Sequence, residues 1–196
     1  MFFARFKINR LIKQLKTMQQ SRIHNQPSEQ ALTKEIDGYY KLAEIYQSLQ
    51  GKKTFPFAHE LSLECYRAAA AIEDSTAQYL LGKSLLDEAK MREELQQQGL
   101  LASPSNARQL SELYVEAHAY LLAAENLKHV EAQRLRGLCY INGWGVEADK
   151  KKGFELIVAS IEQENSWDRV PQIFEEMGLN KPEFFSALTQ HRNKAG

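Results

Sequence analysis

The sequence is poor in residues that break or cross-link a chain. Five prolines and ten glycines punctuate 196 residues, too few for a low-complexity or disordered composition. Cysteine occurs twice, as Cys65 and Cys139. Each lies inside a helical pattern without metal-type spacing, which argues against a disulfide framework and points to a reducing compartment. No stretch approaches the roughly 18 uninterrupted apolar residues of a membrane-crossing helix. The opening, MFFARFKINR, is interrupted by charge every two or three residues and lacks the apolar block of a secretory signal. Together these absences lead us to expect a cytoplasmic protein, peripheral at most at the inner face of a membrane. Runs of Val, Ile and Thr are also scarce, whereas Ala, Leu, Gln, Glu and Lys recur, so helices are favoured over strands. Hydrophobic residues make up 43% and charged residues 26% of the chain, enough to bury a sizeable core in one domain or one elongated array.

Net charge is zero, with 25 basic and 25 acidic side chains, but the charge is unevenly placed. Residues 1–26 hold six basic side chains and no acid, which leaves 19 basic against 25 acidic in the remainder. That asymmetry bears on partners and not on fold. Within 1–26, Phe3, Ile8, Leu11, Ile12, Leu15 and Met18 fall along one helical face, with basic residues on the other. Two readings stay open. The stripe docks on the rest of the chain, or the helix lies on an anionic membrane or in a partner's acidic groove through Phe2, Phe3, Phe6, Arg5, Lys7, Arg10, Lys13 and Lys16.

The chain repeats itself. Laying Tyr66–Leu86 on Leu121–Ile141, at an offset of 55, matches Ala68, Ala69, Ala77, Gln78, Leu80 and Gly82 with Ala123, Ala124, Ala132, Gln133, Leu135 and Gly137. Ala123-Ala124 recurs 36 residues later as Ala159-Ser160, and the difference between the offsets fits an insertion at about 90–109. Each unit reads as two helices. Asn142 and Gly143 supply a stop for the first helix of the last unit, and Asp149 a start for the second. The small pairs fall where helices must approach closely.

With Ala132, Gly137, Tyr140, Gly143, Gly145, Val146, Asp149 and Lys152 in that order, the chain resembles the Sel1-like repeat family, relatives of the tetratricopeptide repeat. Gly153 stands where the family has alanine, and Leu156-Ile157 where it has an aromatic pair. The resemblance is strong over Ala117–Ser160, moderate over Ala58–Leu86 and weak over the segment IDGYYKLAEIYQSLQ. It implies an all-α solenoid of about three helix pairs over 31–164. The N-terminal helix at 1–26 and atypical capping helices at 165–196 flank that array. In such a unit the segment INGWGVEADKKKG (Ile141–Gly153) is a tight turn anchored by Val146, not a nucleotide loop. No strand precedes its glycines and no Gly-Lys-Ser/Thr follows. The segment around HNQPSEQ reads as a linker, and GLLASPSNAR as a loop.

No catalytic set, cofactor site or metal site emerges. His24, His59, His118, His129 and His191 are scattered without ligand spacing. No serine sits in a Gly-x-Ser-x-Gly elbow, and Glu93-Glu94 and Glu175-Glu176 diverge on a helix. The resemblance implies a protein-binding scaffold or adaptor of a bacterial complex, holding a partner helix or peptide in its groove. Trp144, Leu100, Leu101, Arg134 and Arg136 are the candidate contacts. Trp167 and Phe185 are minor candidates, in segments better explained as caps. A peripheral membrane protein targeted by the basic helix is a second reading, and a hydrolase built on the repeats a third. No nucleic-acid partner is expected, since Arg134 and Arg136 alone do not make a basic face.

Overall fold

Side-chain acceptors set where five of the helices begin. The computed structural model describes residues 2–195, with side chains from 3 to 190, so the Phe2 and His191 side chains lie outside the described residues. α1 (Phe2–His24) is followed by a short break, and α2 (Glu29–Gln47) starts behind Ser28, whose hydroxyl accepts from the Ala31 amide at 3.3 Å. After α3 (Ala58–Ala70), Asp74 caps α4 (Ser75–Gln97) by accepting from the Ala77 amide at 2.7 Å. Ser103 caps α5 (Pro104–Asn126), His129 caps α6 (Val130–Asn142) and Asp149 caps α7 (Lys150–Glu164). Each cap satisfies an amide that the first turn leaves free, worth about 1 kcal/mol. A 3-10 turn at Trp167–Arg169 leads into α8 (Val170–Glu176), with Pro171 in its first turn, and α9 (Pro182–Ala195) closes the chain.

Helices pack against their neighbours in sequence. α2 with α3, α4 with α5 and α6 with α7 form three hairpins, joined by the contacts of α3 with α4 and of α5 with α6, while α1 lies on α2. Two apolar clusters hold the chain. One runs from Ile8 and Leu15 of α1 through to Ala132 and Cys139 of α6. The other gathers Leu138, Ile157, Val158 and Ile161 with Val170, Ile173, Phe174, Leu179 and Leu188. Leu135 and Trp144 pack against both.

Within the hairpins, glycine sets the helix spacing. A Cβ at Gly82 would sit 2.9 Å from the Leu121 side chain and 3.1 Å from the Ala117 carbonyl of α5. One at Gly137 would sit 2.6 Å from the Gly153 carbonyl, and one at Gly153 2.5 Å from the Gly137 carbonyl. α6 and α7 therefore touch backbone to backbone, which is why position 153 holds glycine and not alanine. Ala69, Ala77, Ala124 and Ala132 are fully buried, whereas Ala68 and Ala123 are half-buried.

Two expectations are corrected. The loop of the insertion is shorter than GLLASPSNAR: only residues 98–103 leave the helix, because Ser103 caps and Pro104 opens α5. The α4–α5 arm it builds is laced by Arg92, which donates to Glu88 at 2.9 Å, Asn106 at 3.4 Å and Gln109 at 3.3 Å. The linker is shorter than HNQPSEQ, since the Ser28 cap starts α2 at Glu29. Of the two readings of α1, the docked stripe is the one the contacts show. Ile8 and Leu15 are buried, and Leu15 fills the space over Gly38 of α2. Polar contacts lock the same docking: Gln19 donates to the Tyr39 hydroxyl at 2.6 Å, and Arg22 pairs with buried Glu35 at 3.2 Å.

Gly153→Ala should lower stability by about 2–3 kcal/mol through overpacking at the α6–α7 crossing. Gly99→Ala, which meets nothing within 4 Å but sits at φ +78°, should cost only about 1 kcal/mol. Urea unfolding of the two variants checks the order.

Candidate functional site

The turn after α6 is built around two left-handed glycines. Gly143 stops the helix at φ +73°, and the Asp149 amide reaches back to the Tyr140 carbonyl at 2.8 Å. Gly145, at φ +69°, lies so close to α5 that a Cβ would fall 2.1 Å from the Tyr114 carbonyl. Between them Trp144 stacks on Tyr114, with centroids 5.8 Å apart and planes at 4°, while the Lys90 ammonium stands 4.6 Å from the indole centroid. Tyr114 in turn donates to Glu93 at 2.6 Å, and burial, then that carboxylate, pushes its phenol pKa up. The turn thus fastens α6 to both helices of the preceding hairpin. Val146 packs beside it against the first apolar cluster.

Trp144 also borders a cleft of about 370 Å³. α4 contributes Tyr79, Lys83 and Lys90, α6 contributes Arg134 and Leu138, and Met177 closes the end beyond α8. Tyr79 stacks on His129, the α6 cap, at 4.5 Å and 21°. One hairpin earlier, Tyr40 of α2 donates to Asp74, the α4 cap. The first helix of one hairpin therefore grips the cap of the next at both steps. Burial, then Asp74, raises the Tyr40 pKa, so that hydroxyl remains a donor at neutral pH.

The candidate contacts separate. Trp144 and Arg134 line the cleft together, and the Arg134 guanidinium is held there by Ser160 at 3.1 Å and by Glu164. Leu100 and Leu101 are exposed at the tip of the α4–α5 arm and do not line the cleft. Arg136 is corrected: it is only 8% exposed, pairs with Glu125 of α5, and lies over the Tyr140 ring at 5.6 Å. Its guanidinium is used internally. Sequence reasoning missed Tyr79, Lys83 and Lys90, although the 55-residue offset relates Tyr79 to Arg134 and Lys83 to Leu138. Both members of both pairs line the cleft.

A second polar cluster surrounds Tyr140. His118 of α5 meets its ring edge at 5.5 Å, and Lys152 of α7 stands 4.2 Å from its centroid. Burial, then Arg136 and Lys152, holds the His118 pKa below its ordinary 6.5, so the imidazole stays neutral at pH 7. Burial raises the Glu125 pKa above its ordinary value, opposed by Arg136, Lys152 and Lys128. Burial likewise pushes the thiols of Cys65 and Cys139 up to about 12, which leaves neither as a thiolate nucleophile at neutral pH. Among the described residues, no three His, Cys, Asp or Glu side chains gather as a metal-ligand set, and no helix is long and apolar enough to cross a membrane. No protein-family model matches the chain, and no curated protein matches it.

The depressed pKa of His118 makes stability fall with acid. The unfolded chain takes up that proton first, so the contribution of the neutral ring is whole above 6.5 and is lost as the pH falls below it. Glu125, with its raised pKa, acts in the opposite sense above 4.5. Between about pH 7.5 and about pH 5.5, His118→Gln should therefore lose less thermal stability than the parent chain. Melting curves at the two pH values measure the difference.

Proposed function

We propose that this chain is a non-enzymatic scaffold: a short solenoid of Sel1-like helix pairs that holds a partner's helix or extended segment along α4, α6 and α8. The observation that carries this reading is the cleft itself. It is walled by the first helices of successive hairpins and offers an aromatic floor of Tyr79 and Trp144. Lys83, Lys90 and Arg134 face Asp87, Glu131 and Glu176 around it. Aromatic rings flanked by charge of both signs suit recognition of an amphipathic segment, where rings supply area and the rim charges set register. The 55-residue offset, the sealed small residues at equivalent positions and the caps gripped by Tyr40 and Tyr79 support the solenoid reading. The second apolar cluster supports a capping role for α8 and α9, because it covers the face of α6 and α7 that a further hairpin would take. In the Tyr140 cluster Arg136 is paired with Glu125 and burial keeps His118 neutral at pH 7, which favours the scaffold reading over a hydrolase. A cytoplasmic place, expected from the sequence, and a bacterial complex, implied by the resemblance to Sel1-like proteins, are proposed with it.

Site-specific photocrosslinking tests the proposal. A crosslinker at Lys83, in the cleft, should capture a defined protein partner, and one at Lys151, which is 88% exposed outside the cleft, should not. Lys83→Glu combined with Glu176→Lys should weaken capture at least about tenfold without shifting the melting temperature. Equal adducts from both positions would sink the reading.

A further inference from the structure

We propose that the outward face of α1, with the adjoining α2–α3 loop, docks on the surface of an anionic lipid bilayer. This does not rest on the cleft; it uses residues that the sequence alone offered for a membrane, Phe3, Phe6, Lys7, Arg10 and Lys13, which lie across the helix from the apolar stripe of Ile8 and Leu15. That stripe is committed to α2 through Ile8, Leu15 and the Arg22–Glu35 pair. At 100° per residue, the opposite side carries Phe3, Phe6, Arg10 and Lys13 in one line, flanked by Lys7. Phe3 is 79% exposed and Phe6 60% exposed, and the basic side chains beside them are exposed as well.

The charge there has one sign. No acid occurs before Glu29, and among the described residues none of Lys7, Arg10, Lys13 and Lys16 forms an ion pair. Between α1 and α2, Lys7, Arg10 and Lys41 surround the lone carboxylate of Glu44 in a cleft of about 360 Å³. The start of α1 is also where the α2–α3 loop comes up, because the Arg5 guanidinium stands 5.8 Å from the Phe55 centroid. That loop adds exposed Lys52 and Lys53, and Phe57 at 67% exposure.

A phenyl ring has no polar atom to satisfy water, so burying these exposed rings in an apolar medium is favourable. The line of Phe3, Phe6, Arg10 and Lys13 runs along the convex outer side of α1. A bilayer suits both features: its anionic headgroups take the lysines and arginines, and the acyl boundary just beneath takes the phenylalanines.

Sedimentation of the full chain with vesicles tests this. It should bind vesicles of phosphatidylcholine mixed with an equal amount of phosphatidylglycerol, not phosphatidylcholine alone, and binding should weaken as salt rises. Phe3→Ser with Phe6→Ser should lower affinity about tenfold or more. Arg10→Glu with Lys13→Glu should do the same through lost headgroup attraction. Lys150→Glu with Lys151→Glu, away from α1, should leave binding intact. All these positions are exposed, so the melting temperature should be unchanged. Failure to bind the anionic vesicles overturns the proposal, as does binding indifferent to the phenylalanine pair. So does an equally tight complex with polyglutamate or duplex DNA that ignores that pair, which would mark the face as a general anion binder.

Discussion

The contact on which the last hairpin and the cleft depend is the bare crossing of α6 and α7, where the backbones of Gly137 and Gly153 meet with no Cβ between them. Interiors are close-packed, and a crossing that tight leaves no slack to absorb even one methyl group. The approach draws Ile157 against Gly137 and Ile141 against Gly153. It thereby holds α6 at the depth from which Leu135 can join the two apolar clusters. Gly82 on Leu121 and Ala117 performs the corresponding service in the α4–α5 hairpin. Small residues here do not merely permit packing; they fix the distance at which larger neighbours interlock.

Contacts between hairpins have a different character. They are made by rings on helix caps and by one turn. Tyr40 reaches Asp74, Tyr79 covers His129, and the Trp144 turn lies across Tyr114 and Lys90. A capping side chain is already fixed by its helix, so a ring that binds it meets a pre-ordered partner and surrenders little additional entropy. The same rings form the wall of the cleft. Tyr79 and Trp144 are thus at once the joint between hairpins and the apolar surface the cleft presents.

Much of this was legible in the sequence, for a physical reason. Helix caps and stops are local, so Asp149 and Gly143 announced the boundaries of α6 and α7. The recurrent Ala-Gln-x-Leu-x-Gly lies at Ala77–Gly82 and Ala132–Gly137, where each glycine faces a neighbouring helix. Gly145 was legible as a turn residue but not as the point where a turn meets the Tyr114 backbone. His129 was invisible as a cap, because a ring nitrogen is a less common acceptor there than an oxygen. Arg134 and Arg136 looked alike, two residues apart on one helix. The successive positions differ by 200° around the axis, which sends one to the cleft and buries the other against Glu125.

The sequence by itself determined that this chain is helical, where α6 stops and where α7 starts, since each of these rests on residues close together along the chain. Only the tertiary structure decided that the stripe of α1 is spent on α2, where the loop of the insertion ends, and that residues as far apart as Tyr79 and Met177 share one cleft. Those outcomes depend on how helices approach one another across the fold, and an amphipathic pattern states that a face will be covered without stating by what.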